Sequence, residues 1–369
     1  MRLVCGYKRR LKKGSIVARE WRIIQKLGEG GFGAVYKVVN IETRTFAAFK
    51  VEAPREHSVL KLEAMVLRRL ETCPFVPHIL DSGKKPSYSY LIMSLLGPSL
   101  NKILKFYGKV CSISTQVRIG INILYALKQL HDFGFIHRDL KPANVAVGPV
   151  GTPQFRFLHI FDFGLAREYI VMPRTGPPKM RRPRQRAHFR GTLRYCSVNT
   201  HEKGEQGRDD DLWCLLYMLV ELRGPLPWSK VRERRLISRI KRTIDMEKLL
   251  ENCPVELLVF AEHLTTLNYY IRPNYALLYQ LLLQVMEAGK IRLAEMAGGR
   301  RIGQAVLDAR RRHHEDPAAD VNLQDDELNV PKMIDAEDAF EGGGAEDVFD
   351  LLSCSDDVEE YDEEPSEEL

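Results

Sequence analysis

The sequence predicts an α+β protein of two lobes, the smaller built mainly of strands and the larger mainly of helices, and three observations point there. Short strand-like runs with one helix occupy the chain from Trp21 to about Gly83. Helical periodicity dominates beyond Gly97, and the change of pattern falls at Ser94 to Gly97. A mainly β segment followed by a mainly α segment suits an α+β arrangement, whereas alternating βαβ units would predict a parallel sheet.

In chain order, the turn-rich stretch Gly28 to Gly33 separates two apolar runs, and Val35 to Val39 then alternates like a strand. A further apolar run closes with Ala47-Ala48-Phe49-Lys50. Ser58 to Thr72 reads as a helix, because Val59, Leu62, Val66 and Leu70 recur at helical spacing and Pro74 lies just beyond. Val117 to His131 is amphipathic and closes at Gly134. Asp211 to Leu222 is apolar nearly all round, which predicts a helix buried in mid-domain. Further helices are expected at about 254–268 and 274–287. The predicted organisation is a basic extension over 1–20, one domain over 21–290 (small lobe 21–93, link 94–97, large lobe 98–290), a basic and helix-compatible segment over 291–312, and an acidic disordered tail over 313–369.

Composition restricts the function classes. Of the 369 residues 44% are hydrophobic and 28% charged, as in a soluble globular protein, and no run approaches the roughly 18 to 20 apolar residues that span a bilayer. The start, MRLVCGYKRRLKKG, is basic and lacks the apolar core of a signal peptide. Seven scattered cysteines, none spaced C-x-x-C, argue against a disulfide framework or a zinc site. The expectation is an intracellular protein without a membrane partner, cytoplasmic, with the nucleus as the second compartment open to it. The net charge of +6 hides a split: residues 313–369 carry 22 Asp or Glu and one Lys, a net of −21, and residues 1–312 a net of +27. A tail so charged and poor in aromatic residues lacks the apolar surface to offset ordering.

The chemistry lies in four short motifs. Gly28-Glu29-Gly30-Gly31-Phe32-Gly33-Ala34-Val35 fits G-x-G-x-x-G-x-V, in which missing Cβ atoms let backbone N–H groups approach phosphate oxygens. A dinucleotide-binding fold would need a helix next, but a strand follows. Lys50 ends the next strand, and after a glycine loop such a lysine can reach phosphates if a carboxylate holds it. Glu63, midway along the predicted helix, is the candidate carboxylate, with Glu56 and Glu71 as alternatives. The most specific signal is His137-Arg138-Asp139-Leu140-Lys141-Pro142-Ala143-Asn144, followed by Asp162-Phe163-Gly164. Asp139 can accept a hydrogen bond from a hydroxyl nucleophile and orient it, and Lys141 can neutralise charge on a moving phosphoryl group. Asn144 and Asp162 supply the hard oxygen ligands that Mg²⁺ prefers.

With these motifs in this order, residues 21 to 288 resemble protein kinases. The resemblance implies the two-lobed protein kinase fold and a cleft for ATP and Mg²⁺. It sets Leu27, Gly28, Glu29, Gly30, Gly31, Gly33, Val35, Ala48, Lys50, Glu63, Met93, Ser94, Leu96 and Asp162 around the nucleotide, with the backbone of Ser94 to Leu96 on the adenine and Met93 at its back. Asp139, Lys141 and Asn144 take the catalytic positions, and Asn144 with Asp162 the metal. Lys141 within HRDLKPAN is similar to the serine/threonine branch. Ser197-Val198-Asn199, where most kinases carry A-P-E, looks like casein kinase I, and Gly207-Arg208-Asp209-Asp210-Asp211-Leu212-Trp213 with Leu226-Pro227-Trp228 looks most like tau-tubulin kinases. In that family Asp211 would brace the catalytic loop.

Three departures concern specificity: Ser94 at the hinge start, Ala48-Phe49 before the lysine, and an Arg- and Pro-rich stretch from Val171 to His188. Arg167, Arg174, Lys179, Arg181, Arg182, Arg184, Arg186 and Arg190, with Arg194 just after, would attract acidic or phosphorylated peptides, because guanidinium pairs bidentately with carboxylate and phosphate. The resemblance groups Arg194 with Arg239 or Lys241 as an anion pocket. The acidic tail is an intramolecular candidate for the same basic face. The alternative reading is a pseudokinase scaffold, although Lys50, Asp139 and Asp162 are all retained. For nucleic acid the sequence offers no recognition motif beyond charge.

Overall fold

The computed structural model describes residues 11–30, 33–54, 58–108, 110–171 and 176–290. The expected segments 291–312 and 313–369 lie outside the described residues, as do residues 1–10, Gly31, Phe32, Glu56 and Arg174.

The small lobe is a six-stranded antiparallel sheet, in the order β1 (Ile16–Val17), β2 (Trp21–Gly30), β3 (Gly33–Asn40), β4 (Phe46–Glu52), β6 (Tyr88–Ser94), β5 (Ile79–Lys85). Its first strand lies five residues before the expected start of the domain, and Val17 and Ala18 are buried there. Alternation along β4 divides its residues between two faces. Ala47, Phe49 and Val51 join Trp21, Ile23, Val38 and Ile92 in one buried cluster. Ala48, Lys50 and Glu52 face the other way, toward helix α1 (Val59–Arg69).

α1 matches the predicted helix within three residues. Ser58 caps it by accepting from the Lys61 N–H (3.0 Å), and Leu60, Val66 and Leu67 are buried. These side chains, with Leu91 and Met93 of the sheet, join the core of the large lobe, so α1 belongs to both lobes.

The large lobe contains α2 (Leu100–Tyr107), α3 (Ile113–Asp132), α4 (Val198–His201), α5 (Arg208–Glu221), α6 (Arg234–Thr243), α7 (Met246–Leu249), α8 (Glu256–Thr265) and α9 (Tyr275–Ala288). α3 starts four residues before its expected position, because the Ser112 side chain accepts from Thr115 N–H (3.2 Å) and so caps a polar first turn. α5 is buried along nearly its whole length, as its all-round apolar sequence predicts. Among the described residues three two-stranded pieces complete the large lobe: β7 (Phe135–Ile136) with β10 (Arg167–Glu168), β8 (Val145–Val147) with β9 (Leu158–Ile160), and β11 (Ile170–Val171) with β12 (Lys179–Met180).

Candidate functional site

The site lies where β4, α1 and the loops around β7 to β9 meet. Lys50 Nζ donates to Glu63 Oε2 (2.6 Å) and to Asp162 Oδ1 (2.7 Å), across 13 and 112 residues of sequence. Glu63 is 1% exposed. Of its alternatives, Glu71 is exposed at the end of α1. Burial alone would favour neutral Lys50, but the two facing carboxylates outweigh it and lift the ammonium above its ordinary range. Asp162 is held below the usual carboxylate range, because Lys50 outweighs the cost of burial. Glu63 is pushed up by its complete burial, which Lys50 only partly offsets. The lysine is therefore a fixed cation pointing into the cleft.

Hairpin β8–β9 brings the two metal candidates together. Val145 pairs with Ile160, and Phe161 N–H donates to Asn144 O (3.0 Å), so Asn144 and Asp162 leave the hairpin side by side. Asn144 Nδ2 donates to Asp139 O (3.0 Å), which turns Oδ1 away from the loop. Asp162 adopts a left-handed backbone (φ 69°), uncommon for a side-chain-bearing residue. After it, Phe163 is fully buried, and a Cβ on Gly164 would stand 2.5 Å from Val59 Cγ1. The absence of a side chain at 164 thus lets the first turn of α1 close onto this loop.

The residues of the His137–Asp139 loop are held from beneath. The buried carboxylate of Asp211 on α5 accepts from His137 N–H (2.6 Å) and Arg138 N–H (2.8 Å), and is bonded to His131 Nε2 (3.0 Å). These contacts support Arg138 in its own left-handed conformation (φ 66°). His137 Nδ1 accepts from Asp139 N–H (3.3 Å), so Nε2 carries the proton and donates to Phe161 O (3.2 Å). Above them Asp139 Oδ2 accepts from Lys141 Nζ (2.5 Å), and Oδ1 accepts from the Thr192 hydroxyl (2.6 Å), which also accepts from Lys141 (3.2 Å). Thr192 is a member of this group that sequence reasoning missed. It stands in Gly191-Thr192, and its contact with Asp139 spans 53 residues.

At the glycine turn, Gly28 pairs with Val35 and Gly30 with Gly33. Among the described residues, chain neighbours aside, no atom lies within 4 Å of where a Cβ on Gly28 or Gly30 would stand, whereas one on Gly33 would strike Val51 O at 1.9 Å. Glu29 forms an ion pair with Lys26. Leu27, Val35, Ala48, Ser94 and Leu96 are partly buried and Met93 is nearly covered, with Ala48 and Met93 adjacent across β4 and β6. The Ser94 hydroxyl accepts from His78 N–H (3.0 Å), which ties the hinge start to β5.

The residues present fit a magnesium-bound nucleotide. The glycines leave backbone room, Lys50 supplies fixed positive charge, and Asn144 Oδ1 with the Asp162 carboxylate supplies oxygen ligands. Among the described residues no group of three His, Cys, Asp or Glu could cage a metal. Mg²⁺ held by one or two protein oxygens and phosphates needs no such cage.

The expected anion pocket is changed. Lys241 is 2% exposed; its ammonium donates to Leu193 O (2.9 Å) and Cys196 O and lies over the rings of Tyr217 and Trp228. Burial lowers its pKa to about 8. Lys241 is thus a packing residue of the segment before α4 and presents no charge to a substrate. Arg194 is paired with Glu221, and its second amino group donates to Ser229 O (3.1 Å). Arg239 stands exposed on α6. The cavity beside Arg194, about 380 Å³, is lined by Thr192, Leu193, Trp228, Ser229, Val231, Arg232 and Ile237. Elsewhere in the arginine-rich stretch, Arg184 makes a bidentate pair with the buried Glu205 (2.6 and 3.0 Å) and Arg167 approaches the same carboxylate (3.5 Å). Arg181 lies 3.7 Å from Glu168. Arg182, Arg186 and Arg190 are exposed.

Compared with known families, residues 21–283 match the protein kinase domain. A Caenorhabditis elegans protein named "Putative serine/threonine-protein kinase" is 45% identical over 288 residues, covering 77% of this chain and 83% of its own length. Another from that organism, named as an inactive tau-tubulin kinase, is 35% identical over 240 residues, 62% of this chain and 83% of that protein. A casein kinase I homolog of Saccharomyces cerevisiae is 30% identical over 305 residues, 80% of this chain and 55% of the yeast protein.

Proposed function

Because the chain belongs to the protein kinase family, among the serine/threonine kinases of the casein kinase I superfamily with a tau-tubulin-kinase-like relationship, we propose that it transfers the γ-phosphoryl group of ATP to Ser or Thr hydroxyls in acidic or already phosphorylated protein segments. The observation that carries the reading is the meeting of Lys50, Glu63 and Asp162 with the Asp139–Lys141–Thr192 group around one cleft.

Asp139 accepts the proton-bearing side of the incoming hydroxyl and aims its oxygen; Lys141, already beside that carboxylate, offsets negative charge at the transfer point. Thr192 holds the Asp139 carboxylate on its second oxygen, which fixes its orientation before substrate arrives. Lys50, held by Glu63, fixes the α- and β-phosphates, and the backbone at Gly28, Gly30 and Gly33 covers them. Asn144 and Asp162 would hold Mg²⁺, which when bound supplies positive charge between the phosphate oxygens. Ser94 to Leu96 and Met93 form the adenine end.

Exposed Arg182, Arg186, Arg190, Arg232 and Arg239 support the preference for acidic or phosphorylated peptides, as does the cavity next to Thr192. The acidic tail over 313–369 is the intramolecular competitor for this face. The decisive experiment is phosphate transfer from labelled ATP to casein, compared between the natural chain and Asp139→Asn. We expect kcat to fall on the order of 10²–10⁴-fold, the range for loss of a positioned acid–base group, with the melting temperature unchanged. The second reading is a scaffold without catalysis; it is kept because one relative is named inactive. Equal inertness of both proteins, with a partner still bound, would establish it.

A further inference from the structure

Lys50 and Glu63 are not the only side chains joining β4 to α1. Glu52 lies two residues beyond Lys50 on the same face of the strand and is 2% exposed. One of its carboxylate oxygens, Oε1, accepts from the Ser58 hydroxyl, and Oε2 accepts from Leu60 N–H (3.3 Å). Ser58 in turn caps α1 through Lys61 N–H. The first turn of α1 contains no acidic residue of its own. Its N–H groups and the positive end of its dipole are therefore met by a carboxylate borrowed from the strand that carries the phosphate-binding lysine.

We infer that Glu52 is a positioning residue for phosphoryl transfer: with Ser58 it clasps the first turn of α1 to β4 and so sets the distance at which Glu63 meets Lys50. The geometry makes this a two-point attachment. Glu63 and Ser58 lie five residues apart, more than one helical turn, and each is tied to β4 by a separate buried carboxylate. A single attachment at Glu63 would leave the helix free to pivot about that pair; the second fixes its inclination. Gly164 adds a wall, since α1 can lie this close to the Asp162 loop only over a glycine. The Glu52 carboxylate itself takes no part in the chemistry: it touches neither Lys50 nor Asp162 by any bond in the structure, and it acts through the helix.

The inference rests on the assignment of Lys50 to the ATP phosphates, and the test separates the two. Steady-state constants for ATP and for an acidic peptide are measured for the natural chain, Glu52→Ala, Glu52→Gln, Ser58→Ala and Lys50→Met, with hydrogen exchange followed over residues 59–69. Expected for Glu52→Ala is a rise of about tenfold in the KM for ATP with a fall in kcat, an unchanged KM for the peptide, and faster exchange in α1 but not in α5 or α9. Glu52→Gln, which keeps an acceptor and loses the charge, falls between it and the natural chain. Ser58→Ala, which removes only a hydroxyl, shifts the same constants two- to threefold and stands in for Glu52→Ala should that protein not fold. Loss of kcat with both KM values unchanged would mean a smaller folded fraction and would overturn the inference, as would natural constants in both variants. If Lys50→Met leaves ATP affinity unchanged, the assignment of Lys50 itself fails; if it abolishes transfer while the clasp variants behave as the natural chain, only the clasp fails.

Discussion

Single residues in this molecule show that chemical role and burial are separate questions. Asp139, Lys50 and Asp162 could be singled out in the sequence because the phosphoryl transfer proposed for them demands the same residue types at nearly fixed places within short loops. Thr192 was visible only as a letter, since what gives it a role is a contact with a loop 53 residues away. Lys241 was set beside Arg194, as the alternative to Arg239, by family resemblance, and the packing of Tyr217 and Trp228 shows it covered. Burial of a titratable group also has a consequence for stability. His159, 3% exposed, has its pKa lowered to about 4 from 6.5, chiefly by burial and despite a hydrogen bond to Phe157 O. Because the folded value lies below the unfolded one, the unfolded chain binds more protons between pH 6.5 and 4. Stability from this group is complete above about pH 6.5 and declines as pH falls through that window, by up to about 1.4 kcal/mol per pH unit. Denaturant midpoints measured from pH 7.5 to 4.5 should show the decline, and His159→Asn should make it shallower.

At the scale of elements, caps and close approaches decide what periodicity leaves open. Helices α1, α5, α8 and α9 were readable because their apolar residues recur over nearly three turns or more. The start of α3 was not, because its first turn is polar and its only marker is Ser112. Short pieces such as α4 and α7, four residues each, have too few turns for a period to register. Strand β1 escaped for the same reason and because it precedes the first aromatic anchor, Trp21. The junction of α1 with the turn at Phe163–Leu165 yields a prediction of its own. In Gly164→Ala the new methyl carbon would meet Val59 Cγ1 at 2.5 Å, and Val59 is a short, branched side chain that cannot swing aside. α1 must then move outward. Since misplacement by about 1 Å can cost on the order of 100-fold in rate, kcat/KM for ATP should fall at least tenfold while the large-lobe fold persists. A natural kcat/KM in that variant would show that the helix has slack.

For the whole molecule, charge is the organising quantity. A basic body and a tail carrying a net −21 were evident from the sequence alone, but how much of the positive charge is committed internally was not. Glu205, a single buried carboxylate, engages both Arg184 and Arg167, and its pKa is lowered mainly by Arg184 against the cost of burial. Arg181 and Arg194 also face carboxylates. Fewer arginines are therefore available to an acidic peptide than a count of the segment suggests. Deleting residues 313–369 should lower the KM for an acidic peptide at low salt, and the difference should shrink as ionic strength approaches 0.15 M, where screening acts beyond about 8 Å. An unchanged KM on deletion would remove the tail as a competitor.

The triangle of Asp139, Lys141 and Thr192 is closed by its own hydrogen bonds, and Lys50 is seated between two acids. The Lys50 charge thus has its counter-charges on two other elements, and neither can drift from β4 without parting an ion pair.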